Sequence, residues 1–157
     1  MQYWLMKSEP GEFSIGDLVK RPNKTEHWDG VRNYQARNFM RDDMKKGDQI
    51  FFYHSNCSEP GIVGIARVAR EGYPDFTAFD PKDKHYDPKS KKDKPTWFMV
   101  DVLYVKRFKR TVTLVELKNE KKLKDMRLVQ RGNRLSIIPI TEKEWDTILK
   151  MEKSISA

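Results

Sequence analysis

A single cysteine, Cys57, occurs in the 157 residues. It has no internal partner, so no disulfide framework staples the fold, and a reducing compartment, read here as the cytoplasm, is the expectation. Histidine is scarce too. His27, His54 and His85 lie far apart in the chain, and no cysteine or carboxylate stands at metal-ligand spacing from them, so no metal site is expected. Long apolar runs are missing. None approaches the length of a membrane span, and the opening MQYWLMKSEP has neither the basic start nor the apolar stretch of a leader. No membrane partner is expected, and the N-terminus is read as part of the fold. Phosphate-cradling loops are also absent: the glycines of GIVGIARV interrupt a β-branched run with no helix behind it, which suits close approach of another element instead. There is no Gly-x-Ser-x-Gly turn, and His54 and Cys57 in HSNC sit at a strand end without the other parts of a nucleophilic site. No catalytic residue and no cofactor is expected.

What is present is charge and a foldable core. Thirty-one Lys and Arg against 23 Asp and Glu give a net charge of +8, which favours a polyanionic partner such as nucleic acid. Hydrophobic residues at 38% with aromatics at 11% describe a folded chain, and the length fits one domain over 1–157, taken as a monomer. No internal repeat is visible. The one break in composition is DPKDKHYDPKSKKDKP, residues 80–95, where prolines and lysines predict a loop that is either a phosphate-contacting flap or a solvated run.

The runs QYWLMK, DQIFFYH, GIVGIARVAR, TWFMVDVLYVKRF and RLSIIPI predict strands. SIGDLVK reads as a short turn of helix. A longer helix is expected over 33–44, capped by Asn33, with Ala36, Phe39, Met40 and Met44 at helical spacing on one face. TLVELKNEKKLKD suggests one or two short helices, and Thr141 with Glu144 makes a capping box for a last helix whose core face holds Trp145, Ile148 and Leu149. This irregular mixture predicts an α+β fold: a curved, mostly antiparallel sheet or small barrel with helices packed around it.

Polar residues gather at the ends of these elements. Lys7, Ser8 and Glu9 fall where the first strand ends, and His54, Ser55 and Asn56 do the same after FFY. Trp28 precedes Gly30, and Arg32 and Asn33 open a helix start that suits an anion. Tyr34, Arg37 and Asn38 follow within one turn. If these ends meet, they form a pocket with an indole, hydroxyls, amides and cations. The plainer reading makes Trp28 an edge of the core and Asn33 only a cap.

The ordered series WLMKSEP, WDGVRNYQARNFM, FFYHSN, GIVGIARV, YPD at 73–75, WFMVDV and RLSIIPIT resembles the EVE domain, the family that includes the thymocyte nuclear proteins, over nearly the whole chain. The resemblance implies a PUA-like fold, a small mixed, mostly antiparallel β-barrel with flanking short helices, related to the YTH and ASCH domains. It also implies a pocket for a modified nucleobase, methylated or hydroxymethylated cytosine, in DNA or RNA. By that resemblance Trp28, His54, Ser55, Asn56, Leu135 and Ser136 belong in or near the pocket, with Lys7, Ser8 and Glu9 at its floor. Trp28 would stack on a flipped base, while Lys7, Arg32 and Arg37 would neutralise its backbone. Trp4, Trp97 and Trp145 are assigned to the core. A non-catalytic reader is the first reading. An enzyme acting on a nucleotide-like or other small anion, with Glu9 or His54 as acid/base, is the alternative.

Overall fold

The computed structural model describes residues 1–154. Its centre is a pair of strands, β1 (Tyr3–Ser8) and β3 (Gln49–His54), that run parallel and in register. Neither alternates polar with apolar residues, because both faces of the sheet are covered. On β1, Trp4 and Met6 enter one core and Leu5 the other; on β3, Ile50 and Phe52 oppose Phe51 and Tyr53. Beside β3 lies β4 (Gly61–Pro74), antiparallel to it and to β5 (Phe98–Thr113). The β4–β5 ladder shifts register at four places, and such bulges bend long strands.

At one edge β2 (Thr25–His27) pairs with β5, and at the other β6 (Ile137–Ile140) pairs with β1. The order is β2-β5-β4-β3-β1-β6, so the mixed α+β architecture is present but the sheet is open and not a barrel. The physical reason is that this sheet needs cover on two sides. One face packs on α1 (Ile15–Lys20), α2 (Tyr34–Asn38) and the turn after it; the other packs on α3 (Leu114–Asn119) and α4 (Glu142–Lys153). Strand β2 has no signature in the sequence, since TEH is three half-buried residues without an apolar member.

Local chemistry sets the helix ends. Ser14, Thr113 and Thr141 each form a reciprocal capping box, with Asp17, Glu116 and Glu144 respectively. The helix expected over 33–44 starts at its Asn33 cap but divides: after Asn38 the chain opens into a π-helical turn, Phe39–Asp43, closed by Met44 N–H donating to the Phe39 carbonyl at 2.9 Å. The widened turn lies against β4, where a Cβ on Gly72 would stand 2.4 Å from the Met40 carbonyl oxygen. Ala36, Met40 and Met44 still reach the core. Trp145 of α4 stacks on Phe51 at 3.8 Å between ring centroids. A buried carboxylate, Asp48, joins the start of the chain to β3 by accepting from Gln2 N–H, the Trp4 indole N–H and Lys45 N–H.

The glycines of β4 permit close approach, as their setting in the sequence suggested. A Cβ on Gly64 would meet the Ile15 Cδ1 at 2.2 Å and the Lys106 carbonyl oxygen at 2.4 Å. The backbone contact cannot swing away as a side chain can. Gly64→Ala is therefore expected to destabilise the fold by about 1 to 3 kcal/mol through overpacking, read as a lower urea midpoint with an unchanged slope. A midpoint equal to the parent's would show that β5 yields freely at this bulge.

Candidate functional site

Parallel registry of β1 and β3 puts Lys7 beside Tyr53 and Ser8 beside His54, so both chains leave the sheet at the same end. Ser55 N–H donates to the Ser8 carbonyl at 3.0 Å, and Lys7 N–H donates to the Ser136 carbonyl at 2.9 Å. Three polar segments thus converge. Facing them is the stretch that follows β2, from Trp28 to Arg32. Between the two lies a cleft of about 720 Å³, whose lining includes Lys7, Ser8, Glu9, Trp28, Arg32 and Ser136, together with Phe13, His27, Gly30, Lys84 and His85.

The far wall is held by Asp75. This fully buried carboxylate accepts from Gly30 N–H at 2.8 Å, from Arg32 Nη1 at 3.0 Å, and from Thr77 N–H and Oγ at 2.9 and 2.6 Å. Burial alone would raise its pKa, but these hydrogen bonds and the Arg32 charge outweigh burial and hold it below the usual value. Arg32 is spent on this tie. Its remaining N–H groups point to Thr77 Oγ and to the carbonyls of Val31 and His85, the last at 2.6 Å. Gly30 sits at φ +79 with the His85 ring packed on it; a Cβ there would come within 2.5 Å of the ring. Only glycine suits both the conformation and the contact.

Trp28 serves the core and the cleft together. It is 8% exposed, and the rings of Phe13 and Phe52 stand nearly perpendicular to it at 86° and 81°. The indole therefore offers the cleft a small part of its surface, not a free face. Phe13 carries the Arg21 guanidinium 5.2 Å above its ring. Cations at the rim are mostly paired: Arg21 with Glu26, and Lys84 with Glu12. Lys7 differs. It lines the cleft, lies 6.0 Å from the Tyr53 ring centre, and burial lowers its pKa. Ser8 spends its hydroxyl proton on the Phe13 carbonyl at 2.5 Å, which leaves its oxygen as an acceptor.

The other residues named from the sequence have different places. His54 accepts from Ile15 N–H at 3.2 Å and so secures the start of α1; burial, then the nearby Arg107 charge, lowers its pKa and keeps the ring neutral for that role. Asn56, in a left-handed conformation, donates to Glu9 Oε1 at 2.8 Å and steadies the cleft floor from behind. Leu135 packs into the hydrophobic cluster on the opposite face of the sheet. Asn33 is the α2 cap, accepting from Ala36 N–H at 2.9 Å. Tyr34, 62% exposed, stacks on Trp97, and Arg37 lies 5.0 Å above Tyr34 while donating to the Thr96 carbonyl. Trp4, Trp97 and Trp145 are buried. Phe13, Asp75, Lys84 and His85 were missed. Asp75 had a trace in the YPD motif, whereas the last two belong to the 80–95 loop, which the sequence left open between a flap and a solvated run and which lays His85 over Gly30.

The geometry has counterparts. The EVE domain model matches residues 2–151. The chain belongs to the EVE domain family. It is 49% identical over 168 residues to thymocyte nuclear protein 1 of Homo sapiens, covering 96% of this chain and 74% of that protein. A crystal structure from Pseudomonas putida superposes with a TM-score of 0.92 at 50% identity, covering 96% of this chain and 99% of that one. Human THYN1 protein in complex with 5-methylcytosine containing DNA gives 0.94 at 48%, covering 99% and 100%. An ASCH protein of Zymomonas mobilis, 11% identical over 96% of this chain and 99% of that one, shares the fold with a TM-score of 0.55. The expected cytoplasmic location is overturned here, because the curated relatives are named for the nucleus. A single unpaired cysteine reports a reducing environment, which nucleus and cytosol share. Among the described residues, no helix is long and apolar enough to cross a membrane.

Asp75→Asn keeps the shape and turns one acceptor into a donor facing donors. A loss of about 2 to 4 kcal/mol is expected at neutral pH. Because the folded carboxyl titrates below 3.8, its contribution is complete above that pH and fades as acid protonates it. The gap between parent and variant in urea unfolding should therefore close on acidification. A gap that stays constant down to pH 2 would assign the loss to the mismatched amide donor and not to the carboxylate charge.

Proposed function

We propose that the cleft receives a cytosine methylated or hydroxymethylated at C5, turned out of DNA, and that the protein reads this base without transforming it. The observation that carries the reading is the joining of an aromatic wall, a hydroxyl acceptor and a half-buried ammonium in one cleft. Cytosine presents an amino donor at N4 beside its ring acceptors. Ser8 Oγ suits the donor and Lys7 the acceptors, while Trp28 and Phe13 supply apolar contact to the ring. Aromatic contact ignores base identity, so the choice of base falls to the polar pair. Extrusion is the natural route, since the cleft lies at a sheet end that cannot enter a stacked duplex. The human relative found with 5-methylcytosine DNA supports this choice of polymer and base. The enzymatic alternative loses ground: His54 is occupied as an acceptor for Ile15 N–H, and Glu9 is held by Asn56.

Two duplexes that differ only in one central 5-methylcytosine test the reading. The parent should prefer the methylated duplex. Trp28→Phe should keep the fold and retain only part of the affinity; Trp28→Ala is unsuitable, since removing a buried indole costs about 3 to 5 kcal/mol of stability. Lys7→Met removes the ammonium and keeps the stem, and should weaken binding of the methylated strand most. Lys7 also predicts a pH dependence. Its pKa lies below 10.5, so affinity should decline as rising pH removes its proton, at a lower pH than a free lysine would, and Lys7→Met should lack that decline. Equal binding of both duplexes by the parent would defeat the reader assignment.

A further inference from the structure

We infer that residues 80–95 form a preassembled clamp for phosphodiester backbone, continuous with the cleft; this rests on the reading above and names how the same partner is held. The segment is not a loosely solvated charge run. It is fastened at three points, once to the cleft wall and twice to the chain entering β5: Arg32 Nη2 donates to the His85 carbonyl at 2.6 Å, the Trp97 indole N–H to Asp87 Oδ2 at 2.7 Å, and Thr96 N–H to Ser90 Oγ at 3.0 Å. Trp97 and Ser90 are buried.

The acidic and basic residues of the segment are used differently. Three of its four aspartates bend the chain: Asp80, Asp83 and Asp87 accept from the backbone N–H groups of Lys82, His85 and Lys89 at 2.9, 2.8 and 3.0 Å. Each is a side chain closing a turn on its own backbone. All six lysines are exposed. Lys84 pairs with Glu12 and Lys91 reaches the Pro88 carbonyl. Lys82, Lys89, Lys92 and Lys94 form no salt bridge or side-chain hydrogen bond among the described residues. The fold thus turns three carboxylates toward the loop's own backbone and leaves the ammoniums outward, so positive charge predominates on the loop surface.

Position supplies the partner. Lys84 and His85 line the cleft itself, so a base bound there brings its flanking phosphates alongside the loop. On the loop's other side Arg37 is anchored to the Thr96 carbonyl at 2.8 Å and stacked on exposed Tyr34. A backbone leaving the cleft finds cations on a rigid frame, with little ordering left to do on binding.

The test is Lys82, Lys89, Lys92 and Lys94 changed together to Gln, measured by fluorescence anisotropy against the methylated and unmethylated duplexes over a range of salt. Melting temperature should match the parent's, since the four side chains hold no partner. Affinity for both duplexes should fall by a similar factor, leaving the methyl preference in place. The log–log salt slope should be shallower by roughly 0.9 for each lysine that touches a phosphate, between about 2 and 4 for the set. The same exchange at Lys118, Lys121, Lys122 and Lys124, whose segment covers the other sheet face, should change little. An unchanged slope in the loop variant, or an equal effect of the control set, overturns the clamp, as does failure of the parent to bind either duplex. Equal binding of both duplexes by the parent with a shallower slope in the loop variant would instead overturn the reader while the clamp stands.

Discussion

The structure around the cleft depends on one buried carboxylate. Asp75 brings together the chain after β2, at Gly30 and the guanidinium of Arg32, and the start of the segment after β4, at Thr77. A charge in so dry a place is tolerable only because several donors and a cation face it. Once that requirement is met, the other features follow. Arg32 is held where it can grip the His85 carbonyl, His85 is laid over Gly30, and the lysine-rich segment is brought to the rim. An arginine that looks, from its neighbours in sequence, like a phosphate ligand is instead a brace.

The second constraint is the sheet's two covered faces. Parallel β1 and β3 send their polar ends out at one place, and the chain entering β6 adds Ser136 beside them. Core and cleft consequently share side chains. Trp28 packs against Phe13 and Phe52 in the same region where it meets the cleft. Rigidity of the core is passed straight to the site, which would suit the proposed reading of one methyl group, where contacts are worth only about 1 to 3 kcal/mol.

Charge in this protein is sorted by position. Paired ions ring the cleft mouth and, being exposed, add little stability; among the described residues Lys7 has no carboxylate partner at the floor, where burial lowers its pKa. The loop lysines face solvent on a frame held by hydrogen bonds from beneath. The net excess of cations is therefore less informative than the fact that Arg21, Arg32 and Lys84 are already engaged, while Lys7 and four loop lysines are not.

The amino-acid pattern by itself determined the elements and the family. Strands β1 and β3 to β6, the Thr141–Glu144 capping box and the core tryptophans were legible because aromatic runs, caps and helical spacing act over a few residues. It also marked Lys7, Ser8, Glu9, Trp28, Arg32 and Ser136, which the fold brings into one cleft. It misjudged closure of the sheet, because whether edges meet depends on how many layers cover the faces. It missed β2, whose three residues have meaning only beside Val102 and its neighbours. His54 and Arg32 carry polar groups whose tasks are set by partners 39 and 43 residues away, and no local pattern reports a contact across such distances; the Asn33 cap, whose partner is three residues on, was legible. Local propensity fixes what a segment can become; which donor meets which acceptor across the chain was decided by packing alone.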